Sequence, residues 1–151
     1  MKILIFPFAK PIAQGKSHPK NYPWWPELLE MLKSHTIIQV GTDGEQQLVD
    51  DFRKNLSIND LSTLIRDCDT WIGIDSFGQH LCWDLGVKGI VIFGQSDPNI
   101  FGHSENINLL KDRKYLREKQ FWLWEQIEFN SDAFVTPEEI VKVLTSQFPN
   151  K

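Results

Sequence analysis

Three observations on this 151-residue chain predict an α/β fold in which helices cover both faces of a parallel β-sheet. Short apolar runs alternate with segments of helical periodicity along most of the chain. The runs are continuous rather than polar at every second residue, as strands buried on both faces require. The stretch Trp71-Ile-Gly-Ile-Asp-Ser-Phe-Gly-Gln-His80 passes from such a run through Asp75 and Ser76 into a helical pattern that carries Leu81 and Leu85 and stops at Gly86. A junction of this kind exposes unpaired N–H groups and the positive end of a helix dipole, which makes it a natural receptor for phosphate.

The first strand is Lys2 to Phe6, where Ile3, Leu4, Ile5 and Phe6 follow one another. Pro7, Pro11, Gly15, Pro19 and Pro23 then make a long loop, a kind of segment that usually carries function. Leu28, Leu29, Met31 and Leu32, with Pro26 suited to a first turn, predict a helix over Pro23 to Lys33. Thr36 to Val40 is the second strand, closed by the turn residues Gly41-Thr42-Asp43-Gly44, and a short third strand is expected near Gln47 to Phe52. Ser57 or Asn59 caps a helix that carries Leu61, Leu64 and Ile65 through Cys68. Thr70 to Ile74 is the fourth strand, Gln79 to Leu85 a helix, Gly89 to Phe93 the fifth strand and Asn106 to Leu110 the sixth.

The aromatic segment Phe121 to Phe129 fits strand or helix equally. Thr136-Pro137-Glu138-Glu139 is a capping box ahead of a terminal helix bearing Ile140, Val141, Leu144 and Phe148. About six parallel strands with alternating helices make a single Rossmann-like, doubly wound unit over residues 1–151. With strand order 3-2-1-4-5-6, the loops after strands one and four face each other across the switch point, where ligands bind in such sheets.

Composition narrows the function. A hydrophobic content of 41% with 24% charged residues describes a soluble globular chain, and no apolar run approaches a membrane span. Met1 to Phe8 lacks the length and cleavage pattern of a signal peptide, so a cytoplasmic location is expected. The net charge of -4 and the absence of a dense basic cluster make nucleic acid a poor candidate partner. Cys68 and Cys82 fall within apolar patterns without metal-ligand or redox spacing, so both read as core residues. Adjacent Trp24 and Trp25 cannot both point inward from one helix, which leaves one of them for a partner surface or for stacking on a base or sugar.

Lys20-Asn21-Tyr22-Pro23 before a helix, Asp75-Ser76-Phe77-Gly78-Gln79-His80 after a strand, and Phe93-Gly94-Gln95-Ser96-Asp97-Pro98 after the next form a set. Together they resemble the K-x-W-P, D-S/T-G-x-x-H-L and F-G-x-T-x-P patterns of glycosyltransferase family nine, the ADP-heptose:lipopolysaccharide heptosyltransferases. The likeness is to the C-terminal, nucleotide-sugar-binding half of these GT-B enzymes, and it runs over roughly residues 1–110 and more loosely the terminal helix. It implies a nucleotide-diphospho-sugar as donor substrate. Lys20 would be the cation beside the phosphates, and Ser76, Gly78 and His80 would line the diphosphate. Glu45 would meet the ribose hydroxyls, Leu56 and Ser57 would lie beside the base, and Ser96 would keep the hydroxyl of the usual threonine. Phe77 stands where the family has glycine, and the glycine comes one residue later. Asp75 does not attract phosphate; the roles open to it are bonding turn amides, orienting His80 or accepting sugar hydroxyls.

The resemblance also implies an acceptor-binding lobe that this chain does not contain, so no catalytic base is assigned. A partner chain, a second copy, His18, His103 or the acceptor itself would have to supply it. By themselves His18, His35 and His103 read as surface residues. No acidic pair suited to a metal is evident, so transfer is expected to be metal-independent and without a further cofactor. The leading reading is a glycosyltransferase, or its donor-binding part, that transfers a hexosyl or heptosyl group. The alternatives are a non-catalytic nucleotide-sugar-binding or assembly module and a structural domain with an empty pocket.

Overall fold

The computed structural model describes residues 1–149; Asn150 and Lys151, the end of the expected 1–151 unit, lie outside the described residues. Six parallel strands form one sheet: β1 (Lys2–Phe6), β2 (Thr36–Gly41), β3 (Phe52–Lys54), β4 (Thr70–Ile74), β5 (Ile90–Phe93) and β6 (Ile107–Leu110). Their order is β3-β2-β1-β4-β5-β6, with Ile3 opposite both Ile37 and Thr70 in the central ladders. The order reverses between β1 and β4, as a Rossmann-like sheet requires.

Successive strand residues feed opposite cores because side chains alternate across the pleat. Ile3, Ile5, Ile72, Ile74, Ile90 and Ile92 pack against α1 (Trp25–Met31) and α5 (Pro137–Gln147) through Leu28, Ile140 and Leu144. Leu4, Phe6, Ile38, Val40, Trp71, Val91 and Phe93 pack on the other face against α2 (Ile58–Asp67) and α3 (Phe77–Asp84), through Leu61, Leu64, Ile65 and Cys82. Both cysteines are buried and unpaired, and burial raises both thiol pKa values. The capping box at Thr136 forms as expected, with Thr136 Oγ1 accepting from the Glu139 amide and Glu139 Oε2 from the Thr136 amide.

Several boundaries move from the sequence expectation. The third strand is not at 47–52 but at Phe52–Lys54, because buried Gln39 holds the preceding loop. Its Nε2 donates to the Gln46 carbonyl at 2.8 Å and its Oε1 accepts from the Leu48 amide at 2.7 Å, so those residues run past β2 rather than pair with it. Helix α1 is shorter than Pro23 to Lys33, since Trp24 is its cap and Pro26 stands in its first turn. Helix α3 starts at Phe77 rather than Gln79, with Ser76 as cap. A single turn, α4 (Pro98–Phe101), was not expected; Asp97 caps it by accepting from the Asn99 amide at 2.9 Å. Phe121 to Phe129 is neither strand nor helix, apart from one tight turn at Trp124–Gln126. None of the helices among the described residues is long and apolar enough to cross a membrane.

Candidate functional site

A cavity of about 570 Å³ opens at the carboxyl ends of β1, β2 and β4. Its walls come from four chain segments: Phe8, His18 and Lys20 of the loop after β1; Gly41, Thr42 and Glu45 after β2; Arg53, Asn55 and Leu56 around β3; and Asp75, Ser76, Phe77 and Gly78 at the start of α3. The β1–β4 switch point therefore sits at one side of an open cleft.

The α3 terminus has free donors. The Ser76 hydroxyl makes no cap bond, whereas the Ser57 hydroxyl accepts from the Asp60 amide at 3.1 Å in α2. A helix N-terminus without its side-chain cap leaves first-turn N–H groups for water or a ligand. Gly78 is required here by packing, because a Cβ would lie 2.5 Å from the Phe6 ring. That close approach brings α3 down onto the end of β1 and turns the Phe77 ring outward, 58% exposed at the cavity mouth.

Asp75 is only 4% exposed. Its Oδ1 accepts from Gln79 Nε2 at 2.7 Å, and its Oδ2 lies 3.3 Å from Lys20 Nζ, within ion-pair range but outside hydrogen-bond geometry. Asp75 therefore orients Gln79 and Lys20, not His80. Lys20 Nζ also stands 5.4 Å from the centre of the Trp124 ring, and the Arg117 guanidinium stacks on that ring at 3.6 Å. Arg117 is itself buried, and burial lowers its pKa, although the Asp75 charge opposes this. Glu45 is half-buried; its Oε2 accepts from the Thr42 amide at 2.8 Å, and desolvation raises its carboxyl pKa despite that bond.

Of the residues expected at a ligand, Lys20, Glu45, Leu56, Asp75, Ser76 and Gly78 share this cavity. Ser57, His80 and Ser96 are not in its walls. Ser57 caps α2. His80 points outward, with Nδ1 2.8 Å from His103 Nε2, while His103 stacks on Trp83. Desolvation and the neighbouring His103 lower the His80 pKa. Ser96 is 1% exposed beneath the turn that follows β5.

His18 departs from its expected place on the surface: it is 9% exposed, lines the cavity and packs against Trp124 at 4.9 Å between ring centres. Its one sequence cue is its position two residues before Lys20, with Pro19 between them. Arg53 and Asn55 also line the cavity, because β3 lies later in the chain than the sequence pattern places it. Trp25 is the inward member of the tryptophan pair, donating to the Pro7 carbonyl at 3.1 Å, while half-buried Trp24 packs edge-on against Tyr22. Among the described residues no three His, Cys, Asp or Glu side chains are grouped to hold a metal ion.

The fold and cleft define a class: a Rossmann-like α/β unit with a switch-point cavity that holds a helix N-terminus, a lysine and two acids. No protein-family profile matches the sequence, and no curated protein matches it. Solved structures do. A family 9 glycosyl transferase from Veillonella parvula superposes with a TM-score of 0.71 at 13% identity, covering 98% of this chain and 46% of that one. The Escherichia coli ADP-heptose lipopolysaccharide heptosyltransferase II gives 0.67 at 15% identity, covering 97% and 46%. The dodecameric, iron-containing heptosyltransferase TibC, solved with ADP-D-β-D-heptose, gives 0.60 at 15%, covering 92% and 36%. At these identities the likeness is one of fold, and the chain spans less than half the length of the structures it matches.

Proposed function

We propose that this chain binds a nucleotide-diphospho-sugar in the switch-point cavity and acts as the donor-binding part of a metal-independent glycosyltransferase. The observation that carries this reading is the convergence of Lys20, the uncapped α3 N-terminus at Ser76 and Glu45 on one cleft. A diphosphate needs a cation and fixed N–H or O–H donors, and a ribose is held by an acid; the cleft contains each. The fold likeness to heptosyltransferases, one of them solved with ADP-heptose, supports the same donor class. Catalysis would rest on positioning the donor and stabilising the departing diphosphate. The acceptor surface and base would come from outside these residues, from a further domain, a partner chain or a second copy; the similar structures are more than twice as long, and one is a dodecamer.

Calorimetric titration with ADP-, UDP- and GDP-sugars tests the reading. Saturable binding of one series is expected, and no heat with any of them overturns it. Sugar-transfer assays with co-purified partner chains then separate an enzyme component from a non-catalytic binding module.

A further inference from the structure

The loop after β1 places His18 in the cavity in one defined protonation pattern. The Lys20 amide donates to His18 Nδ1 at 3.1 Å, so this nitrogen is the acceptor and the neutral ring carries its proton on Nε2. Among the described residues Nε2 has no hydrogen-bond partner, although the ring lines the cavity. The ring is held from the side by Trp124, whose face Arg117 also covers.

A second proton on His18 would set Nδ1–H against the Lys20 N–H. Burial opposes it most, and the positive charge of Lys20 adds to this, with Asp75 acting in the other direction. Together they lower the His18 pKa to about 4. Such a ring is a poor proton acceptor at neutral pH but a fixed neutral donor, able to bond an anionic oxygen.

We propose that His18 is a ligand-binding residue of the cavity, its Nε2–H donating to a diphosphate oxygen beside Lys20. This rests on the nucleotide-diphospho-sugar reading above and assigns to that site a neutral donor.

The test compares the full chain with His18→Phe, which keeps an aromatic ring on Trp124, and His18→Gln, whose amide restores a donor near the Nε2 position. Ser76→Ala is the control for the site. ADP, UDP and GDP, with the matching nucleosides, are titrated calorimetrically. His18→Phe is expected to weaken binding of the preferred nucleoside diphosphate roughly tenfold or more, the loss of one hydrogen bond to a charged group. His18→Gln should recover most of it, and nucleoside binding should be unchanged. In the unaltered protein, long-range ¹H–¹⁵N spectra should show the Nε2–H tautomer, with its proton moving downfield on saturation with the diphosphate.

Unaltered diphosphate affinity in His18→Phe, with Ser76→Ala weakened, removes the His18 assignment and leaves the nucleotide-sugar reading standing. Equal weakening toward nucleoside and diphosphate also overturns it, because that is the mark of a structural role. Absence of binding by the unaltered protein overturns both. If His18→Phe does not fold, an Nε2–H resonance that stays in place on saturation is the overturning result.

Discussion

The turn after β4 and the turn after β5 share a sequence pattern, a strand running through small and polar residues into a helix start, yet they meet different fates. After β4, the Ser76 hydroxyl and the first turn of α3 remain open to a cavity, and Asp75 is drawn inward there. After β5, the polar groups of Asp97 and Gln95 are claimed by the chain itself, while the Ser96 hydroxyl is buried without a partner among the described residues. Asp97 caps α4 and takes a two-pronged bond from Arg113 at 2.7 and 3.0 Å, and its amide donates to Gln120 at 2.8 Å. The Gln95 carbonyl accepts from the Arg117 amide and from Gln120 Nε2, each at 3.0 Å. The segment 113–128 folds back over this turn and seals it, burying Ser96 beneath. What makes a strand-to-helix turn a candidate site is what the rest of the chain leaves uncovered, not the turn's own residues.

Matched glycine changes break the comparison most sharply. Gly78→Ala would drive a methyl into the Phe6 ring, and Gly94→Ala one to 2.7 Å from the Phe134 ring. Each is expected to cost roughly 1–3 kcal/mol by overpacking, measured by urea unfolding. Only Gly78→Ala should also weaken nucleotide-sugar binding; equal weakening by Gly94→Ala would mean that the β5 turn takes part after all.

Next comes Lys20→Met, expected to cost about 2 kcal/mol in stability because it leaves the buried Asp75 carboxylate uncompensated, and to reduce affinity as well. Adding Asp75→Asn should restore most of the stability but not the affinity, which separates the two roles of the lysine. On the closed side, Asp97→Ala should cost about 1 kcal/mol as a lost cap, with affinity unchanged. Ser76→Ala mirrors it: a stability change within about 0.5 kcal/mol, since the hydroxyl caps nothing, but weaker binding of the sugar nucleotide.

The loop after β1 also gives a pH dependence. The folded His18 pKa is lowered to about 4 from 6.5, so the unfolded chain binds the extra proton first. The contribution of His18 to stability is then complete above pH 6.5 and lost as pH falls through the window down to about 4. His18→Gln should flatten the unfolding midpoint in that window; an unchanged slope would show that His18 titrates freely.

The strands and helix starts were legible because they depend on neighbours in sequence. Lys2–Phe6 and Thr70–Ile74 are runs of apolar side chains, and Thr136 with Glu139 is a self-contained cap. The candidate site was legible where it coincides with such local patterns, at Lys20, Asp75, Ser76 and Gly78. It was not legible where a distant group decides. Gln39 displaces β3 by bonding Gln46 and Leu48, and Trp124, more than a hundred residues away, turns His18 from a surface residue into a cavity wall.

By itself, then, the sequence determined a doubly wound parallel sheet, its strand order and the position of its switch point. Hydrophobic periodicity and the handedness of strand–helix–strand crossovers leave few other arrangements. Tertiary structure alone decided which of two similar turns stays open, that His80 faces solvent, and that His18 is buried against Trp124 in the cavity wall. Those outcomes depend on burial and on hydrogen bonds between segments far apart in the chain, which no local pattern encodes.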